Sequence, residues 1–225
     1  MAHSIVSAFS DNTNKSSLSH RMRFGRHQFF LSCLEQLRQK RTGYIRILDI
    51  GGTKEYWQSM GFSAPDVRIS LLNLGPAAGP LEPYMDSLVG DAKDLSDIPD
   101  QSYDLVFSNS VIEHLFSLNN QKAMAKEVQR VGKNYFIQTP NYWFPIEPHW
   151  VFPFFQYLPR SIRVLLTQSG SWGHIGQQKD LDSAKKQVDE VRLMTQAELA
   201  NCFPGCRFYA EKWGGMNKSW IAHNF

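Results

Sequence analysis

Several classes of protein are argued against by what this chain lacks. Its 225 residues include only three cysteines, Cys33, Cys202 and Cys206, an odd number without C-x-x-C spacing. That count gives neither a disulfide framework nor a metal-ligand pattern, so inert thiols in a reducing cytoplasm are expected, and no metal site. No apolar run approaches the ~20 residues of a membrane span. The opening M-A-H-S-I-V-S-A-F-S has no basic segment ahead of an apolar core, so no secretory leader is read and a cytoplasmic location is expected. Charge of one sign is not in excess either. The net value is +3, which gives no argument for nucleic acid or a membrane surface as partner. No internal repeat is visible.

Aromatic residues, by contrast, make up 13% of the chain and crowd into 142–155. Residues 1–18 are polar and rich in Ser and Asn, and a mobile arm is expected there. Residues 19–225 are expected to form a single domain, with an insertion over about 141–190. Over 19–40 the apolar residues Phe29, Phe30, Cys33, Leu34 and Leu37 follow helical spacing. Arg21, Arg23, Arg26 and His27 in this helix read as a solvated basic face, with an anion-facing role as the alternative.

The stretch 44–53, Y-I-R-I-L-D-I-G-G-T, organises the rest. Its β-branched and apolar residues describe a strand buried on both faces. Gly51-Gly52 then breaks it where backbone freedom and close ligand approach are available. Further strand signals fall at 67–74, near Leu88-Val89, at 102–110 and at 134–138, and they alternate with helical segments. V-I-E-H-L at 111–115 reads as the opening of a helix, with another over 119–132. Thr195 with Glu198 three residues on marks a capped helix start. Two final strands, 208–213 and 219–223, joined by G-G-M-N-K, suggest an antiparallel hairpin. The alternation predicts an α/β fold with a doubly wound, mainly parallel sheet.

These residues resemble a class I S-adenosylmethionine-dependent methyltransferase, of the type 11 and ubiquinone-biosynthesis-like group. L-D-I-G-G-T looks like that family's D-x-G-x-G motif, N-L-G-P at 73–76 its second motif, and G-D-A at 90–92 its third. S-Y-D-L-V-F-S-N-S-V-I-E-H-L at 102–115 is similar to its fourth. The resemblance implies a seven-stranded Rossmann-like sheet with a reversed final strand. It implies S-adenosyl-L-methionine as cofactor. Asp49, Gly51, Gly52 and Thr53 would bind at the first loop, and Asn73 and Leu74 at the ribose. Asp91 and Ala92 would take the adenine, and Asn109, Ser110 and Val111 the methionine side. Thr53 replaces a glycine of the motif and Asn73 an acid.

Methyl transfer is an in-line displacement, so positioning supplies much of the rate, about 7–11 kcal/mol. After the fifth strand, P-N-Y-W-F-P-I-E-P-H is stiffened by prolines and offers Tyr142, Trp143 and Glu147 to a substrate, with Glu113 as a further candidate. His149 is the candidate general base, with His114 as the second catalytic candidate. The apolar run 151–166 reads as a lid, a homodimer surface, or a patch touching membrane or lipid-linked substrate. The favoured acceptor is a small molecule, glycan or lipid-linked hydroxyl. The proline pair that would stack a flipped base is missing from 108–110, which argues against nucleic acid. A cofactor-binding or scaffold protein without activity is the alternative.

Overall fold

The computed structural model describes residues 18–225, the side chains of 18–22 excepted. The polar arm expected over 1–18 therefore lies outside the described residues, apart from Leu18, where the first helix begins.

Seven strands form one sheet in the order β3-β2-β1-β4-β5-β9-β8. Strands β1 (Ile45–Ile50), β2 (Val67–Asn73), β3 (Met85–Val89), β4 (Leu105–Asn109) and β5 (Tyr135–Pro140) run parallel. β9 (Met216–His223) lies antiparallel to both β5 and β8 (Arg207–Trp213). The reversed last strand agrees with expectation. The turn between β8 and β9 is tighter than read from sequence, consisting of Gly214 and Gly215, both at positive φ. A two-residue hairpin turn of matching twist requires that geometry.

Strand periodicity divides the core in two. Ile45 and Ile47 of β1, with Leu105 and Phe107 of β4, face α1 (Leu18–Gln39) and α2 (Lys54–Ser59), meeting Phe30, Leu34 and Trp57. Leu48 and Ile50 face the other side, with Met124, Val128 and Val131 of α3 (Leu118–Val131) and Leu199 of the Gln196–Cys202 helix. These strands are buried on both faces, which is why they read as nearly continuous apolar runs.

Of the boundaries that differ from the sequence reading, two bear on the site. β5 continues two residues further, through Thr139 and Pro140. The helix expected to open at 111–115 is only a 3-10 turn, Ile112–His114; Phe116 then adopts φ 63°, and Ser117 caps α3 separately.

The segment after β5 builds a small layer of its own. A short hairpin, β6 (Ile146–Glu147) with β7 (Phe152–Pro153), precedes α4 (Arg160–Ser169) and α5 (Leu181–Glu190). Trp150 and Phe155 stack with centroids 4.4 Å apart, and Val164, Ala184 and Val188 close around them. Phe155 and Val164 of the apolar run are thus core, while Phe154, Ile162 and Leu165 remain exposed. Asn141 and Met194 are paired by an isolated parallel bridge, so the segment leaves and rejoins the sheet at one place. The Gln196–Cys202 helix, α6, follows, with the Thr195–Glu198 capping box formed as expected.

Candidate active site

The carboxyl ends of β2, β1, β4 and β5 share one edge of the sheet, and the chemistry-bearing residues gather there. Gly51 turns the chain at φ +72°, with Val111 packed against its Cα. Asp49 is 1% exposed and accepts a 2.7 Å hydrogen bond from Trp57 Nε1. Its carboxylate fills the space where a Cβ on Gly52 would lie, so that glycine is required by its own strand as well as by any ligand. Burial pushes the Asp49 carboxyl up to about 8, against the pull of the Trp57 bond. Thr53, read as a loop position of the motif, caps α2 by accepting from Tyr56 N. Asn73 Nδ2 donates to Gly52 O at 2.9 Å, which leaves its Oδ1 as the acceptor.

Two cavities open on this loop. One of about 350 Å³ is lined by Arg23, Asp49, Gly52, Tyr56, Phe107 and Asn109. A second, of about 200 Å³, shares Gly52 and Thr53 and reaches Asn73, Gly75 and Leu81. Leu74, Asp91 and Ala92 do not line either of them. Leu74 is 81% exposed, and Asp91 accepts from Lys93 N with Lys93 Nζ 3.2 Å away.

Beyond β4, Ser110 has φ 58° and donates through Oγ to Gln138 Oε1 at 2.8 Å. A non-glycine residue in that region is strained backbone held by its surroundings. Asn109 Oδ1 accepts from Arg26 Nη1. Arg26 also grips Glu211 through two parallel bonds of 2.9 and 2.7 Å, and Ser219 Oγ donates to the same carboxylate. Arg26 and His27 are both buried, which corrects their reading as a solvated face. Arg23 has no carboxylate partner among the described residues; burial and the Arg26 charge depress its pKa. The basic residues of α1 were visible in the sequence, but Glu211 lies 185 positions away and nothing local joined them.

A third cavity, of about 280 Å³, adjoins the first at Arg23 and Asn109 and is lined further by Glu113, Phe144, His149 and Lys218. Glu147, 2% exposed, organises its wall. The Glu147 carboxylate accepts from the backbone N–H of His149 and of Trp150, each at 2.7 Å, and lies 2.7 Å from His149 Nδ1. His149 Nε2 then stands 3.2 Å from His114 Nε2. Burial lowers the His149 pKa, but the Glu147 hydrogen bond and charge outweigh it, so the net direction is upward. His114 is pushed down to about 4 by burial and the His149 charge. Glu113 is fully buried, which raises its pKa; Thr139 Oγ1 donates to its Oε2 at 3.0 Å, and its Oε1 has no partner.

The four candidates Glu113, His114, Glu147 and His149 are thus brought together. Tyr142 and Trp143 are not. Tyr142 borders another cavity, on the α4 side, which Glu147 also lines, and Trp143 is 66% exposed. The chain after Pro140 turns at Asn141, whose Oδ1 accepts from Trp143 N, before Glu147 and His149 come back over the sheet edge.

The sheet order, the reversed last strand and the glycine turn define the fold of the class I S-adenosylmethionine-dependent methyltransferases. The model of a methyltransferase-domain family matches residues 63–135. Among solved structures, the CurJ carbon methyltransferase is 12% identical, with 99% of this chain and 57% of that one covered and a TM-score of 0.57. A protein of Bordetella parapertussis is 14% identical over 89% of this chain and 67% of its own, at TM-score 0.50. PigF with SAH is 14% identical over 80% of this chain and 55% of its own, at 0.46. The chain thus spans little more than half the length of PigF and of the CurJ carbon methyltransferase. No curated protein matches it. The family model covers residues 63–135 alone, and the likeness to the CurJ structure is one of fold. Among the described residues no helix is long and apolar enough to cross a membrane.

Proposed function

We propose that the protein transfers a methyl group from S-adenosylmethionine to a hydroxyl oxygen of a small-molecule, glycan or lipid-linked acceptor. The observation that carries this is the junction at Arg23 and Asn109, where the glycine-loop cavity meets the cavity walled by His149. A cofactor seated over Gly51 and Gly52 presents its sulfonium at that junction, and an acceptor in the His149 cavity approaches from the opposite side. That opposition is what in-line displacement needs. Asp49, buried beside the glycine turn, would face the cofactor's ammonium, whose positive charge would draw the carboxyl to its ionised form, and Asn73 Oδ1 suits one ribose hydroxyl. His149, held by Glu147, stands where the acceptor loses its proton.

Titration calorimetry with S-adenosylmethionine tests the first half. Binding in the micromolar range is expected, and no heat at high micromolar cofactor leaves the protein a scaffold. Incubating the protein and methyl-labelled cofactor with separated acceptor pools tests the second half. Label in a hydroxyl-methylated product supports the oxygen acceptor, and label on nitrogen or carbon overturns it.

A further inference from the structure

We propose that Glu113, His114 and His149 form a site for one divalent transition-metal ion of the zinc class, opening into the acceptor cavity. Residue spacing hides such a site, because the ligands are two adjacent residues and one 35 positions later. In the fold, one ligand atom from each of the three lies within 4.8 Å of the others.

Three observations point the same way. The two imidazole Nε2 atoms stand 3.2 Å apart with rings at 88°. Two nitrogens on one tetrahedral ion, at bonds of 2.0–2.1 Å, would be separated by about 3.3 Å. His149 Nδ1 faces Glu147, which is itself fixed by two backbone N–H groups. A carboxylate behind an imidazole sets the tautomer, leaves the Nε2 lone pair bare and raises its basicity towards a metal. Finally, Glu113 Oε1 is a fully buried oxygen without a hydrogen-bond partner, an arrangement that is costly unless something occupies it.

Charge balance agrees. Glu113 and Glu147 are both buried, and neither makes an ion pair with Arg or Lys among the described residues. A doubly charged ion offsets the two carboxylates. Three protein ligands leave a coordination position open, which is the arrangement of metal sites that act on a substrate. An acceptor hydroxyl bound there would have its pKa lowered and release its proton to solvent. His149 would then hold the ion and no longer take the proton itself. This use of the ion rests on the reading of the cavity as the acceptor site; the binding of the ion does not.

The test is titration of chelator-stripped, full-length protein with Zn²⁺, and with Co²⁺ for its visible absorption. One equivalent is expected to bind, with a Co²⁺ band of a nitrogen- and oxygen-ligated ion. H149A, H114A and E113Q should each weaken binding about tenfold or more, and E147Q by about 10–100-fold through the outer shell. E113Q keeps side-chain volume and the Thr139 bond, so it answers the question even if H114A does not fold. Failure to bind an equivalent up to about 100 µM, or binding that all four variants leave unchanged, overturns the proposal. Cofactor titration of the same stripped protein keeps the two readings apart. Cofactor binding without metal binding sinks the ion alone, and metal binding without cofactor binding sinks the methyl-transfer reading alone.

Discussion

Asp49 and Gly52 are a matched pair, since the carboxylate of one occupies the position where the other would carry a Cβ. Gly52→Ala is therefore expected to cost about 1–3 kcal/mol by overpacking. Pairing it with Asp49→Ala should return part of that loss in a double-mutant cycle followed by thermal melting; strictly additive losses would mean the two do not meet. Asp49 also carries a pH signature. Its folded-state pKa, about 8, lies above the unfolded carboxylate value, so the folded protein holds the proton. The stability this contributes is complete at pH values below the unfolded pKa and is lost as pH rises towards and through 8. Melting temperatures of the wild type should fall over that window more steeply than those of Asp49→Asn. Parallel slopes would show an ionised carboxylate at neutral pH. The Asp and the glycines were legible in the sequence because motif and turn are local. Their mutual exclusion was not, because it depends on which way the Asp49 side chain points across the turn.

Among the elements, α1 is fixed to the far edge of the sheet by Arg26, which ties Asn109 at the end of β4 to Glu211 on β8. Arg26→Ala leaves Glu211 buried and unpaired and should cost about 3–5 kcal/mol, whereas an apolar replacement of both partners should cost much less. Chemical denaturation measures both, and equal losses would make the pair incidental. Helix α1 read clearly as amphipathic, but its basic residues were assigned to solvent because their partner comes from the last hairpin. The turn Ile112–His114 shows the same limit in reverse. V-I-E-H-L carries no breaker, so it read as helix, yet the left-handed Phe116 and the cap at Ser117 separate it from α3. That separation sets Glu113 on the wall of the His149 cavity and His114 against His149. The capping box of α6, by contrast, was readable to the residue, since both halves lie within four positions.

At the scale of the whole molecule, the sheet and the α4–α5 layer hold separate apolar cores, the second centred on Trp150. Trp150→Ala should destabilise that layer by about 3–5 kcal/mol, with loss of the Trp150 Nε1 bond to Thr167 as well. Amide hydrogen exchange is then expected to accelerate over 146–190 while β1, β4 and β5 keep their protection. Uniform acceleration would instead show one cooperative unit. The sheet was legible because alternating strand and helix signals point to a mainly parallel, doubly wound arrangement. The layer was not: the 151–166 run looked like an external surface, and nothing within it told which of its aromatics would find α5.

The Asn141–Met194 bridge brings the two ends of that layer side by side, with Tyr142 N donating to Met194 O across the seam at 3.0 Å. The layer is thus a side-loop hung from a single anchor point, and its sequence can change in length and content without altering how any strand is threaded. Glu147 and His149 travel with this side-loop, whereas Asp49, Asn73 and Asn109 belong to the frame. On the proposed function, divergence of what is methylated is thereby decoupled from upkeep of the methyl donor's berth, and grafting a foreign side-loop between 141 and 194 is the natural route to a protein with altered acceptor choice.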